Sequence, residues 1–165
     1  MQKKSYLCGK IYQMTEEEIQ NRQNLARELF HQGFNCSQSV FVACADFFGI
    51  TDRDMALRLA ASFGGGIGRM RLTCGAACGM FLLEGLRSGS CTEGDHEGKK
   101  RNYAQVQALA EQFRKENGAL ACAELSGLVN NGPTPEARTE AYYHKRPCAD
   151  IIASAVGIFL RHQQI

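Results

Sequence analysis

The chain reads as an all-α protein, a single-domain bundle of five to six helices with short connections. Three observations predict it. Apolar residues recur at helical spacing along most of the chain, capping residues bracket the periodic runs, and no stretch alternates apolar and polar residues as a strand would. At 165 residues and 44% hydrophobic content, one domain with a true core is expected. Residues 15–165 are assigned to that domain, and residues 1–14 to a flexible N-terminal extension.

Each element has its own signals. Thr15 and Glu18 form a capping box for the first helix, Leu25, Leu29 and Phe30 supply its apolar stripe, and Gly33 closes it. The second helix is expected over residues 36–48, with Val40, Phe41, Cys44 and Phe47 or Phe48 inward and Gly49 after it. Asp52 caps a third, carrying Met55, Leu59 and Phe63 up to the glycine run Gly64-Gly65-Gly66. Thr73 is the expected N-cap of a fourth helix, residues 74–87, which opens on the small residues Gly75, Ala76, Ala77 and Gly79. Small side chains allow close backbone approach, so this end is expected to pack against a neighbouring element or a cofactor. A polar loop follows to Gly98, and then a fifth helix over residues 99–115 with Tyr103, Val106, Leu109, Ala110 and Phe113 at helical spacing. A short turn is expected at 121–125 and a helical turn near 135–143, inside a loop of Asn, Gly, Pro and Thr. Pro147 opens the last helix, which ends in Leu160-Arg161-His162.

Composition excludes several classes. A formal charge of +2, with no basic run longer than Lys99-Lys100-Arg101, leaves no electrostatic footprint for nucleic acid. The longest apolar run, residues 148–160, contains Asp150 and is too short to span a membrane. Residues 1–10 carry lysines but no apolar stretch after them, so no signal peptide is read there. The expected compartment is the cytoplasm, where dispersed cysteines are ligands, catalysts or core residues more often than disulfide partners.

The eight cysteines carry the chemistry. Cys36, Cys74, Cys122 and Cys148 each stand at an expected helix start, where free backbone N–H groups and a partial positive charge favour a thiolate. No C-x-x-C pair occurs, which excludes zinc-ribbon and thioredoxin-type patterns, so a shared site would be assembled from four separate elements. Cys44, between Phe41 and Phe48, reads as core. Cys8 falls in the N-terminal extension, and Cys91 reads as a lone loop thiol beside His96. Gly64 to Gly68 follows a helix and lacks the Walker lysine, so it reads as a left-handed turn rather than a phosphate loop. Arg69 and Arg71 read as a solvated basic pair, with an effect on the Cys74 thiol as the alternative. His144-Lys145-Arg146 likewise reads as a surface cluster, with activation of Cys148 or an acidic partner as the alternative. His31 and His162 sit near helix C-termini, where a charged imidazole is favourable without further purpose.

Cys74-Gly75-Ala76-Ala77-Cys78-Gly79 carries the C-G-A-x-x-G core of the bacterial family C_GCAxxG_C_C. Cys36, in Phe34-Asn35-Cys36-Ser37-Gln38-Ser39-Val40, is similar to the family's upstream cysteine. Cys122 and Cys148 resemble its downstream pair, and Phe63-Gly64-Gly65-Gly66-Ile67-Gly68 resembles its glycine-rich approach. The resemblance covers roughly residues 25–159 and implies redox function and a four-cysteine site, with residues 15–165 as a redox domain. Cys78 departs from the pattern and stands one turn from Cys74, as a resolving thiol or a substitute ligand.

Three readings follow. In the first, Cys36, Cys74, Cys122 and Cys148 hold an iron–sulfur cluster, two-iron two-sulfur by preference, with redox-silent zinc as the alternative occupant. The electron partner is then a redox protein or a small-molecule carrier. In the second, no cofactor is needed: Cys74 attacks a disulfide and Cys148, Cys36 or Cys78 resolves it. In the third, the cysteines merely pack within a helical binding or dimerisation module, with or without structural zinc. A homodimer fits any of the three.

Overall fold

The computed structural model describes residues 14–163. The expectations for residues 1–13, Cys8 and the absence of a signal peptide included, lie outside the described residues. Six helices of seven residues or more make the body: α1 (Glu16–His31), α2 (Cys36–Val42), α3 (Arg53–Ala60), α4 (Gly75–Ser88), α5 (His96–Asn117) and α8 (Cys148–His162). Two short ones, α6 (Cys122–Ser126) and α7 (Glu140–Lys145), lie in the long connection before α8. Among the described residues no strand forms, only an isolated antiparallel bridge between Thr73 and Ala121. The fold is the all-α single domain that the periodicity predicts.

Helix α8 is apolar nearly all round, with Ile151, Ile152, Val156, Ile158, Phe159 and Leu160 buried, so it lies inside the bundle. Helix α1 packs along it, and α5 covers another side. Helix α2 sits between α3 and α4. Phe41, Met80, Leu83, Leu109, Phe113 and Phe159 are sealed from solvent, and Cys44 lies in this core as the sequence predicts. One carboxylate joins it: Glu84 is fully buried, held by Arg87 at 2.7 and 2.9 Å and by the Ser88 hydroxyl at 2.6 Å. Paired in this way, the buried charge keeps its partners instead of losing solvent for nothing.

Several boundaries differ from expectation, each for a local reason. Helix α2 stops at Val42, because Arg22 reaches across from α1 and donates to the Ala43 carbonyl at 2.9 Å while pairing with Asp46. The chain then continues as a 3-10 turn over Ala45–Phe48. Helix α5 starts at His96, earlier than apolar spacing suggests, because Asp95 caps it by accepting from the Gly98 amide at 2.8 Å. Helix α7 starts at Glu140, under a Thr139 cap. Facing also differs. Helix α3 turns Ala56 and Ala60 inward and leaves Met55 and Leu59 half exposed, and Leu25 of α1 is exposed where Ala26 is buried. Small residues on the inner face bring α3 close to α2. No helix among the described residues is long and apolar enough to cross a membrane.

Candidate functional site

Four chain segments bring Cys36, Cys74, Cys122 and Cys148 to one cavity of about 410 Å³. Cys36 is the first residue of α2, whose Asn35–Gln38 capping box fixes the helix start. The Asn35 side-chain amide also donates to the Ala61 carbonyl at 2.8 Å, tying that start to the turn before Gly64. Cys74 is itself the N-cap of α4, one residue later than the expected Thr73, because Thr73 is engaged in the bridge to Ala121. That bridge holds two of the four cysteines together. The Cys74 amide donates to the Leu120 carbonyl at 2.8 Å and the Cys122 amide to the Leu72 carbonyl at 2.6 Å. Cys148 opens α8 directly after Pro147.

The glycine run sets the spacing. From Gly65 through Arg69 five consecutive residues have φ between 57° and 72°, and Arg71 follows at 62°. Glycine enters this region freely, but Ile67, Arg69 and Arg71 do so at a cost of roughly 1–2 kcal/mol each. The left-handed path curls the chain over the start of α2 and aims the Gly65 amide at the Cys36 sulfur. It also leaves no room for side chains at two contacts. A methyl group on Gly66 would stand 2.6 Å from the Cys122 Cβ, and one on Gly75 would stand 2.6 Å from the Cys36 sulfur.

Amides point at sulfur as helix-start placement predicts. Those of Gly65, Cys36 and Ser37 face the Cys36 thiol, and those of Ala76 and Ala77 face Cys74. Their effect is outweighed by burial, which lifts Cys36 and Cys74 above the ordinary thiol range. Burial likewise pushes Cys148 up to about 11, against the pull of Arg146 and Arg138. Desolvation of a thiolate costs more here than the helix-start amides return. The expectation of easily ionised helix-start thiols is thus reversed at Cys36, Cys74 and Cys148.

The charged lining of the cavity comprises four arginines and one glutamate: Arg69, Arg71, Arg138, Arg146 and Glu136. Arg71 is 7% exposed, and its Nη1 lies 3.8 Å from the Cys122 sulfur. Arg69 and Arg146 share Glu136, at 3.7 and 2.6 Å. Arg138 donates to the Phe34 carbonyl at 3.3 Å and lies 4.6 Å from the Phe30 ring and 4.7 Å from the Tyr142 ring. Arg69 and Arg71 are therefore wall residues of the site, not a solvated surface pair. Arg146 of the His144-Lys145-Arg146 run faces the cavity, while His144 and Lys145 are exposed. Arg138 and Glu136 come from a loop and carry no distinguishing local pattern.

The other cysteines stand apart. Cys78, buried one turn into α4, is absent from the cavity wall, and its sulfur lies 3.9 Å from the Thr73 carbonyl oxygen. Burial lifts its thiol to about 11, with the cysteines at 36 and 122 near enough to add to the rise. Cys91 is exposed. Among the described residues no three His, Cys, Asp or Glu side chains are gathered tightly enough to hold a single metal ion, and every described cysteine is a free thiol.

An uncharacterized protein of Archaeoglobus fulgidus is 25% identical over 150 residues, covering 87% of this chain and 94% of its own length. The relative extends the likeness to an archaeon. No solved structure matches the chain. The family described as "Putative redox-active protein (C_GCAxxG_C_C)" matches residues 34–161, an interval that contains all four cavity cysteines, the glycine run and the arginine wall. The chain belongs to this redox-active family, C_GCAxxG_C_C.

Proposed function

We propose that this protein is an electron-transfer protein in which Cys36, Cys74, Cys122 and Cys148 hold a two-iron two-sulfur cluster inside the arginine-walled cavity. The observation that carries the reading is the convergence of four cysteines, from four helix starts, on one cavity with an excess of positive charge. Two ferric ions, two sulfides and four thiolates sum to a formal double negative charge, which four guanidiniums against one carboxylate offset. Amides aimed at the sulfurs of Cys36 and Cys74 would share the charge of bound thiolates.

The donor arrangement favours a cluster over zinc. Sulfurs on one tetrahedral zinc lie about 3.8 Å apart, from the Zn–S bond length. No such gathering of donors stands among the described residues. Four cysteines lining one cavity of about 410 Å³ leave room for an occupant larger than a single ion. The thiol–disulfide reading, with Cys74 attacking and Cys148 resolving, has less support, since burial keeps both thiols protonated near neutral pH. On binding iron each thiol releases its proton to solvent, and the metal charge offsets the cost that burial imposes on the thiolate.

When bound, the cluster would supply one-electron transfer. The protein's own part is to fix the cysteines, exclude water and supply compensating charge through Arg71 and its neighbours. The electron partner is a redox protein or a small carrier, and the cytoplasmic setting expected from the cysteine content belongs to the same reading. Anaerobic purification and reconstitution with iron and sulfide tests it. Visible absorption with matching iron and sulfide is expected in the native chain and lost on substituting any of the four cysteines by Ser. A colourless chain without stoichiometric metal after reconstitution would overturn the proposal. Zinc at one ion per chain would replace it.

A further inference from the structure

We infer that the same cavity is a binding site for a small oxyanion, a carboxylate or phosphate group held by Arg71 and Arg138 beside the cysteines. The inference stands on the arginines and does not depend on what the cysteines hold. Arg71 is more than nine-tenths buried, and its Nε has no hydrogen-bond partner. Its Nη1 has only a long contact to the Cys122 sulfur, at 3.8 Å. Arg138 has a buried Nη1 that is likewise unpartnered. Both side chains line the cavity.

An arginine removed from water without a counter-charge is costly, and an orphaned guanidinium N–H forfeits a charge-assisted hydrogen bond. The carboxylate on the cavity wall, Glu136, is already taken by Arg146 at 2.6 Å and Arg69 at 3.7 Å. Arg71 feels that carboxylate only through its field, and neither Arg71 nor Arg138 forms an ion pair with it. The backbone of Arg71 is strained as well. It adopts a φ of 62°, at the end of the left-handed run, in a conformation that a non-glycine residue takes at a cost. Strain that presents an unpaired, buried guanidinium to a cavity is the pattern of a prepared anion site. The fork geometry of arginine matches carboxylate and phosphate oxygens in pairs of hydrogen bonds.

Charge leaves room for the anion even beside a cluster. The four guanidiniums and Glu136 give the lining a formal triple positive charge. An oxidised two-iron two-sulfur centre with four thiolates cancels two of the three, and a single positive charge remains.

The test is calorimetric titration of anaerobically purified protein, in a low-salt chloride buffer, with inorganic phosphate, with acetate and with neutral acetamide. A single saturable site is expected for phosphate or acetate, and none for acetamide; the two anions separate a phosphate-type ligand from a carboxylate. Arg71→Gln and Arg138→Gln should each weaken binding about tenfold or more, the equivalent of one charge-assisted contact. Arg58→Gln, on the exposed face of α3, should leave it unchanged. Should Arg71→Gln fail to fold, Arg138→Gln and Arg71→Lys carry the test, the lysine keeping the charge but losing the fork. Absence of saturable binding by either anion overturns the inference, and so does binding that none of the cavity variants weakens. Iron and sulfide are assayed on the same samples. Anion binding without a cluster sinks only the iron–sulfur reading, and a loaded cluster without anion binding sinks only this one.

Discussion

The α1–α8 core and the cavity wall of residues 64–74 are built by opposite means. In the core, ordinary right-handed helices bury apolar side chains at helical spacing, and Ile19, Ile152 and Phe159 are sealed from solvent. In the wall, six of the seven residues from Gly65 to Arg71 have positive φ, three of them non-glycine, and the buried side chain is a guanidinium. The core gains free energy by removing apolar surface from water. The wall expends part of that gain on strain and buried charge, and in return fixes a polar, cysteine-lined cavity. Phe30, Cys74, Ala76 and Ile151 belong to both, but most of the core and the polar wall are built from different residues, and substitutions should tell them apart.

The largest effect is expected in the core. Phe159→Ala should cost about 3–5 kcal/mol, read from the urea midpoint, through lost burial and the void left behind. In the fraction that stays folded, the slow alkylation of Cys148 relative to exposed Cys91 should persist. Gly75→Ala sharpens the comparison from the other side. Its methyl group meets the Cys36 sulfur and the Phe63 carbonyl oxygen, so about 1–3 kcal/mol of overpacking is expected. Here the site should suffer more than the fold, with reconstituted iron falling at least as far as stability. Equal iron per folded chain in Gly75→Ala and wild type would remove the glycine from its spacing role.

A third expectation concerns pH. Folding raises Cys78 and Cys148 to about 11 and Cys44 to about 12, from an ordinary value of 9.0. Above that ordinary value the unfolded chain releases thiol protons that the folded chain keeps. The stabilising contribution is therefore full below about pH 9 and lost as pH climbs through the folded values. In the metal-free protein the urea midpoint should fall from about pH 9 to about pH 12, and Cys44→Ala should flatten the last part of that fall. A midpoint that does not move across this window would contradict the burial of these thiols. The smallest effect belongs to α3. Met55→Gln should change stability by no more than about 0.5 kcal/mol, because that side chain is half exposed. A loss near 2 kcal/mol would restore Met55 to the inner face.

Much of the helical framework was legible because its signals are local. The Thr15–Glu18 box, the Asp52 cap and the periodic run of α8 all act within a turn or two of themselves. Local reading erred where a distant side chain intervened, as when Arg22 ends α2 by capturing the Ala43 carbonyl. It erred again on α3, where hydrophobicity favoured Met55 and Leu59 but close packing on α2 selected Ala56 and Ala60. The helix-start placement of the cysteines was correct. Its inferred consequence, easily ionised thiols, was not at Cys36, Cys74 and Cys148, because desolvation depends on what the rest of the chain stacks over each sulfur.

The sequence by itself determined the all-α class, the helix starts that carry Cys36, Cys74, Cys122 and Cys148, and the small residues that clear space around them. These follow from capping, periodicity and side-chain size, which are properties of neighbouring residues. Only the tertiary structure decided that the four cysteines share a cavity while Cys78 does not, that Arg69 and Arg71 face inward, and that Arg138 and Arg146 complete the wall. Each of those outcomes depends on burial and on contacts between segments tens of residues apart, and a guanidinium looks the same in sequence whether water or a cysteine sulfur lies beside it.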